Sequence, residues 1–301
     1  MVHYDISLEK KINTHIVFLS KMEAFEANVK TYVEKNNPTL YILTPCYGSV
    51  CYVNYVLCLI RTLNLCKKYN IDVYTEFCRN DSLVPRARNN LIARAMTDPK
   101  TTHMIFIDAD IIWEPVDVIK LIISNQYVVG GVYPLKHFHF DRLSDPSIIT
   151  KWRDARAKQP ILTGITDENI IQHQLLRYNY NPVPSENGAI QVVNNLVEVR
   201  HLATGFMMIR RETIECMEKA FPSTKYVDDI GFLKKEEEEH AYALFDCAVE
   251  NSHYYSEDWL FSQRWKNMGG KIYVNLTINL VHTGIQDFKG CFLASLTGGG
   301  V

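Results

Sequence analysis

The sequence predicts an α/β protein in which a mostly parallel central sheet is flanked by helices. Through the first half of the 301-residue chain, short apolar segments of strand length alternate with longer segments whose apolar residues recur at helical spacing. Such alternation is typical of parallel sheets, because a crossover helix must return the chain to the edge where the previous strand began. Sheets of this kind bind ligands beyond the carboxyl ends of their strands, so we expect the functional site there.

The first half of the chain contains most of the predicted sheet. An amphipathic helix is predicted from Leu8 to Asn36, before Pro38. The predicted strands are Thr39–Pro45, which is apolar, Ile71–Cys78, which alternates, Met104–Ile107, which is continuously apolar, and Tyr127–Tyr133, which contains Gly130-Gly131. The predicted helices are a stretch running through Tyr69, then Pro85–Met96, and Pro115–Asn125.

The second half is less regular. The alternation disappears between His137 and Val193, which predicts an insertion with partial order. The later predicted strands are Leu196–Arg200, Gly205–Ile209, Lys271–Val274 and Ile278–His282, and the later predicted helices are Arg211–Ala220 and Asp258–Asn267. The acidic run Glu236–Glu239 is interpreted as a solvated face.

Composition limits the classes of partner and compartment. A formal charge of -2 and a pI near 6.6 leave no broad basic surface, so a nucleic acid is not expected as a partner. The eight cysteines show no C-x-x-C spacing and favour buried, reduced thiols. The first residues do not resemble a secretory leader, and no apolar run is long enough to cross a bilayer. These features predict a soluble, cytoplasmic protein.

The strongest local motif is Asp108-Ala109-Asp110, directly after the apolar segment Met104–Ile107. Two carboxylates on one turn are costly without a cation, and oxygen ligands suit Mg²⁺ or Mn²⁺ carrying a diphosphate. Two capping acids before a helix would look the same. Phosphatases with an aspartyl nucleophile also carry D-x-D after a strand, but the following Thr that we expect in them is replaced here by Ile111-Ile112-Trp113.

Other candidate residues lie near predicted element ends. Arg86 and Arg88 fall in the first turn of a helix, where a positive charge is unfavourable unless an anion is near, which indicates a phosphate or a plain surface position. In Glu257-Asp258, one carboxylate could act as a general base or both could cap a helix. His282 ends a strand, where it could be structural or a third metal ligand. Lys289 follows at a distance that could reach a phosphate.

Taken together, these motifs resemble GT-A-fold glycosyltransferases, nearest to those carried by bacteriophages and large DNA viruses. The resemblance covers roughly residues 39 to 292. Its motifs are Thr44-Pro45-Cys46-Tyr47-Gly48, Arg86-Ala87-Arg88-Asn89, Phe106-Ile107-Asp108-Ala109-Asp110, Gly130-Gly131-Val132-Tyr133-Pro134-Leu135-Lys136, Thr204-Gly205-Phe206, Ser256-Glu257-Asp258 and His282-Thr283-Gly284.

The resemblance implies roles for individual residues and a division of the chain. Thr44, Pro45 and Tyr47 would line the nucleoside pocket, Arg86 and Lys289 would support the donor phosphates, and Asp108 would approach the ribose or the metal. Asp110 and His282 would bind the metal, and Asp258 of the Glu257-Asp258 pair would be the base. Residues 1–38 would form a helical extension, 39–136 the nucleotide-sugar-binding half, and 137–301 the acceptor-binding and catalytic half.

The resemblance therefore implies a hexosyl- or pentosyltransferase that uses Mn²⁺ or Mg²⁺ and a nucleotide-sugar donor, with a UDP-sugar favoured over a GDP-sugar. The expected acceptor is a glycan or glycoprotein, and the first helix is a candidate for pairing two copies of the chain. Two alternatives stay open from the sequence: a sugar-phosphate nucleotidyltransferase, and a non-catalytic carbohydrate-binding protein. The Gln263-Arg264-Trp265 segment only partly matches the Q-x-x-R-W element of processive synthases, so single transfers are expected.

Overall fold

The computed structural model describes residues 22–158, 167–250 and 252–297. Its strands are β1 (Thr39–Cys46), β2 (Asp72–Arg79), β3 (His103–Ile107), β4 (Ile111–Ile112), β5 (Val128–Gly130), β6 (Leu196–Glu198), β7 (Phe206–Arg210), β8 (Ala248–Glu250), β9 (His253–Tyr255), β10 (Ile272–Asn275), β11 (Val281–Thr283) and β12 (Asp287–Lys289). Its helices are α1 (22–36), α2 (Val53–Lys68), α3 (Val84–Thr97), α4 (Pro115–Ile123), α5 (Pro146–Lys158), α6 (Asp167–Leu175), α7 (Arg211–Ala220), α8 (Glu257–Asn267) and α9 (Phe292–Thr297).

The central sheet has seven strands in the order β2-β1-β3-β7-β5-β10-β6. Pairing is parallel for β1 with β2, β1 with β3, and β5 with β10, whereas β7 and β6 are antiparallel to their neighbours. Five of the seven strands therefore run in one direction, and their carboxyl ends share one edge. The predicted α/β class with a mostly parallel sheet flanked by helices is confirmed.

A second, antiparallel sheet of three strands, in the order β12-β11-β4, lies at this edge. It pairs His282 with Ile111 and with Phe288. The predicted strand Ile278–His282 is therefore wrong in its bounds, because Ile278 and Leu280 are buried in the main core while β11 begins only at Val281. This small sheet connects the late histidine to the turn after β3.

Close backbone contact explains the Gly130-Gly131 pair at the end of β5. A Cβ atom on Gly130 would lie 2.2 Å from the carbonyl oxygen of Phe206, and one on Gly131 would lie 2.7 Å from the Ile278 side chain. Neither position has room for a larger residue. The glycines allow β5 and β7 to approach each other beside the site.

Several sequence predictions change in the structure. Glu237 of the acidic run is 6% exposed and accepts hydrogen bonds from Arg94 and from the Lys234 backbone, so the run is not a fully solvated face. The segment after His137 contains α5 and α6. All eight cysteines are free, but only Cys46, Cys58, Cys66 and Cys78 are buried.

The first helix is only partly described. Residues 22–36 are helical, and Val29 and Val33 pack into a core cluster with α2 and α4, while the predicted part before residue 22 lies outside the described residues. Pairing of two copies through this helix stays a prediction. Within the described ranges, none of the helices combines the length and apolar character needed to span a bilayer.

Candidate active site

The Asp108-Ala109-Asp110 turn projects from the carboxyl end of β3, in the middle of the sheet. The turn closes because the Ile111 N–H donates to the Asp108 carbonyl at 3.0 Å, and the Asp108 N–H donates to the Gly205 carbonyl at 3.1 Å. Every residue of β3 is buried, so the strand is fixed in the core while the turn reaches the surface. The two carboxylates therefore stand on a rigid base.

Asp110 and His282 meet at this turn although they are far apart in sequence. The Asp110 Oδ2 atom lies 3.6 Å from His282 Nε2, because β11 pairs with β4 and the Thr283 N–H donates to the Asp110 carbonyl at 2.8 Å. The other ring nitrogen, Nδ1, donates to the Pro134 carbonyl at 2.9 Å. Since a carbonyl only accepts, Nδ1 carries the hydrogen and Nε2 is directed at Asp110.

Lys136 also contacts Asp110. In the sequence it stood out only as the last residue of the motif that begins with Gly130-Gly131. Its Nζ atom lies 2.5 Å from Asp110 Oδ2, and both side chains are about one-third exposed. Burial acts to raise the pKa of the Asp110 carboxyl, but its contacts with His282 and Lys136 outweigh burial and hold that pKa below its usual value. Asp110 is therefore ionised and faces two cationic or polar partners.

Asp108 has a different partner. Arg88 is 4% exposed, and its Nη2 donates to both carboxylate oxygens of Asp108 at 3.0 and 3.3 Å, while its Nε donates to Glu257 at 3.3 Å. Burial acts to lower the pKa of Arg88, but the two carboxylates outweigh it and the pKa is raised. Arg88 thus ties the turn after β3 to the start of α8.

The anions near the two arginines at the start of α3 are protein carboxylates. Arg86, which was expected to support donor phosphates, forms a bidentate pair with Asp81 at 2.7 and 2.9 Å. Arg88 holds Asp108 and Glu257 as described above. The sequence indicated a phosphate or a plain surface position at this helix start, and it did not identify these carboxylates.

A cleft of about 670 Å³ opens beside the turn. Pro45 and Tyr47 line it together with Asp108 and Asp110, and the Tyr47 side chain is 73% exposed. Thr44 does not reach this cleft, because it is fully buried and its hydroxyl bonds to that of Tyr55. The expectation that Thr44 lines the pocket is therefore corrected to a role inside the core.

Asp258 stands at the start of α8, one residue after Glu257. The Ser256 hydroxyl donates to Asp258 Oδ1, which also accepts the Trp259 N–H at 2.9 Å. Burial raises the pKa of Tyr133, and the negative charges of Asp108 and Asp258 raise it further. Tyr133 therefore stays neutral, although its phenol oxygen accepts the Gly205 N–H at 3.2 Å, a contact that acts in the opposite direction on the pKa.

Lys289, which was expected to reach a phosphate, lies away from the contact between Asp110 and His282. It pairs with Val281 across β11 and β12, which places its side chain on the opposite face of the small sheet from His282, the neighbour of Val281. The cation that lies beside Asp110 is Lys136. Trp113, next to β4, is a core residue, because it is 1% exposed and its indole donates to Thr62 at 2.9 Å.

Two of the three residues predicted to bind a metal, Asp110 and His282, lie together, whereas Asp108 is paired with Arg88. Across residues 22–158, 167–250 and 252–297, no three His, Cys, Asp or Glu side chains gather in a way that would hold a metal ion. Asp110 and His282 supply two ligands of suitable chemistry, with the second histidine nitrogen anchored by a carbonyl. Such a pair suits an ion that takes its remaining ligands from substrate phosphates and water.

Comparison with known proteins adds little to this geometry. No family profile matches the sequence, and no curated protein matches it. Among solved structures, the chain is similar to A197 from STIV with a TM-score of 0.41 and 16% identity over 82% of this chain and 86% of that chain. A similarity at this level carries no functional argument.

Proposed function

We propose that this protein is a metal-dependent glycosyltransferase that moves a sugar from a nucleoside diphosphate sugar to an acceptor hydroxyl. The observation that carries the proposal is the meeting of Asp110 with His282 beside the 670 Å³ cleft at the carboxyl edge of the sheet. A doubly wound sheet binds nucleotides at this edge. The acidic turn, the anchored histidine and the cleft together suit a diphosphate held through a cation.

In this proposal Asp110 and His282 hold Mn²⁺ or Mg²⁺. When bound, such an ion neutralises the charge that grows on the departing nucleoside diphosphate. Lys136 has the charge and the position to contact the same diphosphate, because its ammonium lies beside Asp110 and is partly exposed. Asp108 stays with Arg88 and fixes the turn.

Pro45 and Tyr47 would receive the nucleoside at the far side of the cleft. The exposed ring of Tyr47 offers a face on which a base can stack, and we favour uridine for the donor. Asp258 would accept the proton of the attacking hydroxyl, and Glu257 would orient α8 through Arg88. The acceptor is proposed to be a glycan or glycoprotein.

Calorimetry with UDP and Mn²⁺, together with an assay of UDP-sugar hydrolysis, tests the proposal. The wild type should bind UDP only with the metal. Asp110→Ala should abolish metal-dependent turnover and leave the melting temperature nearly unchanged, because the substitution removes a ligand and no buried contact. Asp72→Ala, at an exposed position of β2, is the matched control and should behave like the wild type. Metal-dependent turnover in the Asp110 variant would contradict the proposal.

A further inference from the structure

A second cleft, of about 500 Å³, lies between α5, α6 and α9, on residues that the catalytic proposal does not use. Three aromatic side chains form part of its lining. Phe292 is 2% exposed, and its ring centroid lies 5.1 Å from that of Tyr178 and 4.7 Å from that of Tyr180. Packed rings of this kind give a rigid apolar wall of the sort against which sugars and other small ligands lie.

Cationic side chains outnumber acidic ones around this second cleft. Arg142, Lys151 and Arg177 line it, against a single carboxylate, Asp145. Arg142 is fixed in place because its Nη1 donates to the carbonyls of Gln174 and Leu176, each at 3.1 Å. The local potential is therefore positive, which favours an anionic ligand.

His139 lies next to this cleft, where its backbone N–H donates to the Leu175 carbonyl at 2.9 Å. Its pKa is lowered, first by loss of solvation and then by the positive charges of Arg177, His137 and Arg142, while Asp141 acts to raise it. The cations on this side of the cleft therefore act on a neighbouring side chain as well as on the cleft.

Two polar groups that α6 contributes to the second cleft are buried without a hydrogen-bond partner among the described residues. They are the amide nitrogen of Gln174, whose residue is 7% exposed, and the Nδ1 atom of His173. A buried polar group without a partner is costly, so such groups indicate that something else binds them. Gln174 can donate to an oxygen of a ligand.

Short backbone contacts connect the second cleft to the segments that carry Lys136, His282 and Lys289. The Leu135 N–H donates to the Arg177 carbonyl at 2.8 Å, directly before Lys136. Pro134, whose carbonyl anchors His282, forms a β-bridge with Tyr178. The His173 ring donates to the Lys289 carbonyl on the strand that pairs with β11. The segments that line the second cleft are therefore joined by backbone contacts to those that carry Lys136 and His282.

We infer that the second cleft binds an anionic group, a phosphate or a carboxylate, carried by a sugar of the acceptor. The guanidinium and ammonium groups of Arg177 and Lys151 bind the anion, Gln174 donates to a neighbouring oxygen, and the aromatic wall contacts the sugar ring. This inference rests on the proposed function, because it names the acceptor of the same reaction as an acidic glycan.

Binding of simple sugars tests the inference without any need for turnover. Glucose 6-phosphate, glucuronate, inorganic phosphate and neutral glucose are titrated into the wild type and into a Lys151→Gln/Arg177→Gln variant. We expect glucose 6-phosphate or glucuronate to bind the wild type at least ten times more tightly than glucose, and the variant to lose that preference. Tighter binding of inorganic phosphate than of either acidic sugar would overturn the sugar assignment.

The control is Lys30→Gln/Lys35→Gln, which removes the same charge from exposed positions on α1 and should bind like the wild type. Equal binding of acidic sugars by the Lys151/Arg177 variant and the wild type, or no preference for charge in the wild type, overturns the inference. UDP with Mn²⁺ is titrated into the same samples. Failure of the wild type to bind UDP with Mn²⁺ counts against the proposed function, whereas failure of the wild type to prefer charged sugars, with UDP binding intact, counts only against the acceptor assignment.

Discussion

The two ends of the Asp108-Ala109-Asp110 turn have carboxylates of the same chemistry in different surroundings. At the inner end, Asp108 is held by Arg88, which is 4% exposed and shared with Glu257. At the outer end, Asp110 faces Lys136 and His282, whose side chains are 36% and 17% exposed. Both carboxylates are 29% exposed and line the 670 Å³ cleft, so the two ends of the turn differ in how deeply their partners are buried.

The difference indicates that the two acids of a D-x-D motif can have separate tasks, one as an ion-pair partner within the fold and one facing a ligand. Removing a counter-charge from the interior leaves carboxylates without compensation, whereas water replaces a lost partner at the surface. Substitutions at the inner end should therefore reduce the free energy of unfolding, and substitutions at the outer end should reduce ligand binding.

The largest expected effect comes from Arg88→Met, which keeps the length of the side chain and removes its charge. Asp108 and Glu257 would lose their shared cation, and we expect the free energy of unfolding to fall by about 3 kcal/mol. Urea denaturation followed by circular dichroism measures this. The matched control is Arg61→Met, which breaks an exposed pair with Glu114 and should cost less than about 1 kcal/mol. Similar losses in both variants would remove the distinction between the two ends of the turn.

Lys136→Met should weaken ligand binding while changing the free energy of unfolding little. The pair with Asp110 is partly exposed, so stability should change by less than about 1 kcal/mol. Loss of a charge-assisted contact to the diphosphate should weaken UDP-Mn²⁺ binding by about tenfold or more. Calorimetry on wild type, Lys136→Met and Lys289→Met separates the two lysines. A larger effect at Lys289 than at Lys136 would restore the sequence-based assignment.

The smallest effect is expected in the pH dependence of stability. The pKa of Asp110 is lowered in the folded protein, so its ion pairs stabilise the fold above the unfolded pKa of about 4 and are lost as pH falls through the lower, folded value. Asp110→Asn removes this contribution. The urea concentration at the midpoint of unfolding should be higher for the wild type than for the variant. This difference should be larger at pH 6 than at pH 3 and should correspond to less than about 1 kcal/mol. A difference that grows on acidification would contradict the direction of the shift.

Local pattern was enough to predict most of the central sheet. Met104–Ile107 is continuously apolar and became β3, and Arg211–Ala220 was predicted with the bounds that α7 shows. Hydrophobic periodicity indicates whether a residue faces the core, and it can be recognised from a few neighbouring residues in the sequence. It does not report direction, so the antiparallel β7 between β3 and β5 was not foreseen.

The site was predicted less completely because its contacts are long-range. Asp110 and His282 were named together, and the structure brings them to 3.6 Å. Lys136 was overlooked as a partner of Asp110 because their contact depends on the course of the chain after β5, which no periodicity encodes. Arg88 precedes Leu91, Ile92 and Ala95 by three, four and seven residues, which places it on the apolar face of α3; this signal of burial was not used to separate it from Arg86.

The backbone pairing of β11 with β4 joins His282 to the turn that carries Asp110, across the long segment that separates them in sequence. Residues after Lys136 and before β6 supply neither of the two proposed metal ligands. Arg177 and Tyr178 would nevertheless have to be kept in any replacement of this segment, because their backbone contacts hold Leu135 and Pro134 beside those ligands. For an engineer, a graft in this region must preserve a short stretch of backbone and is free elsewhere.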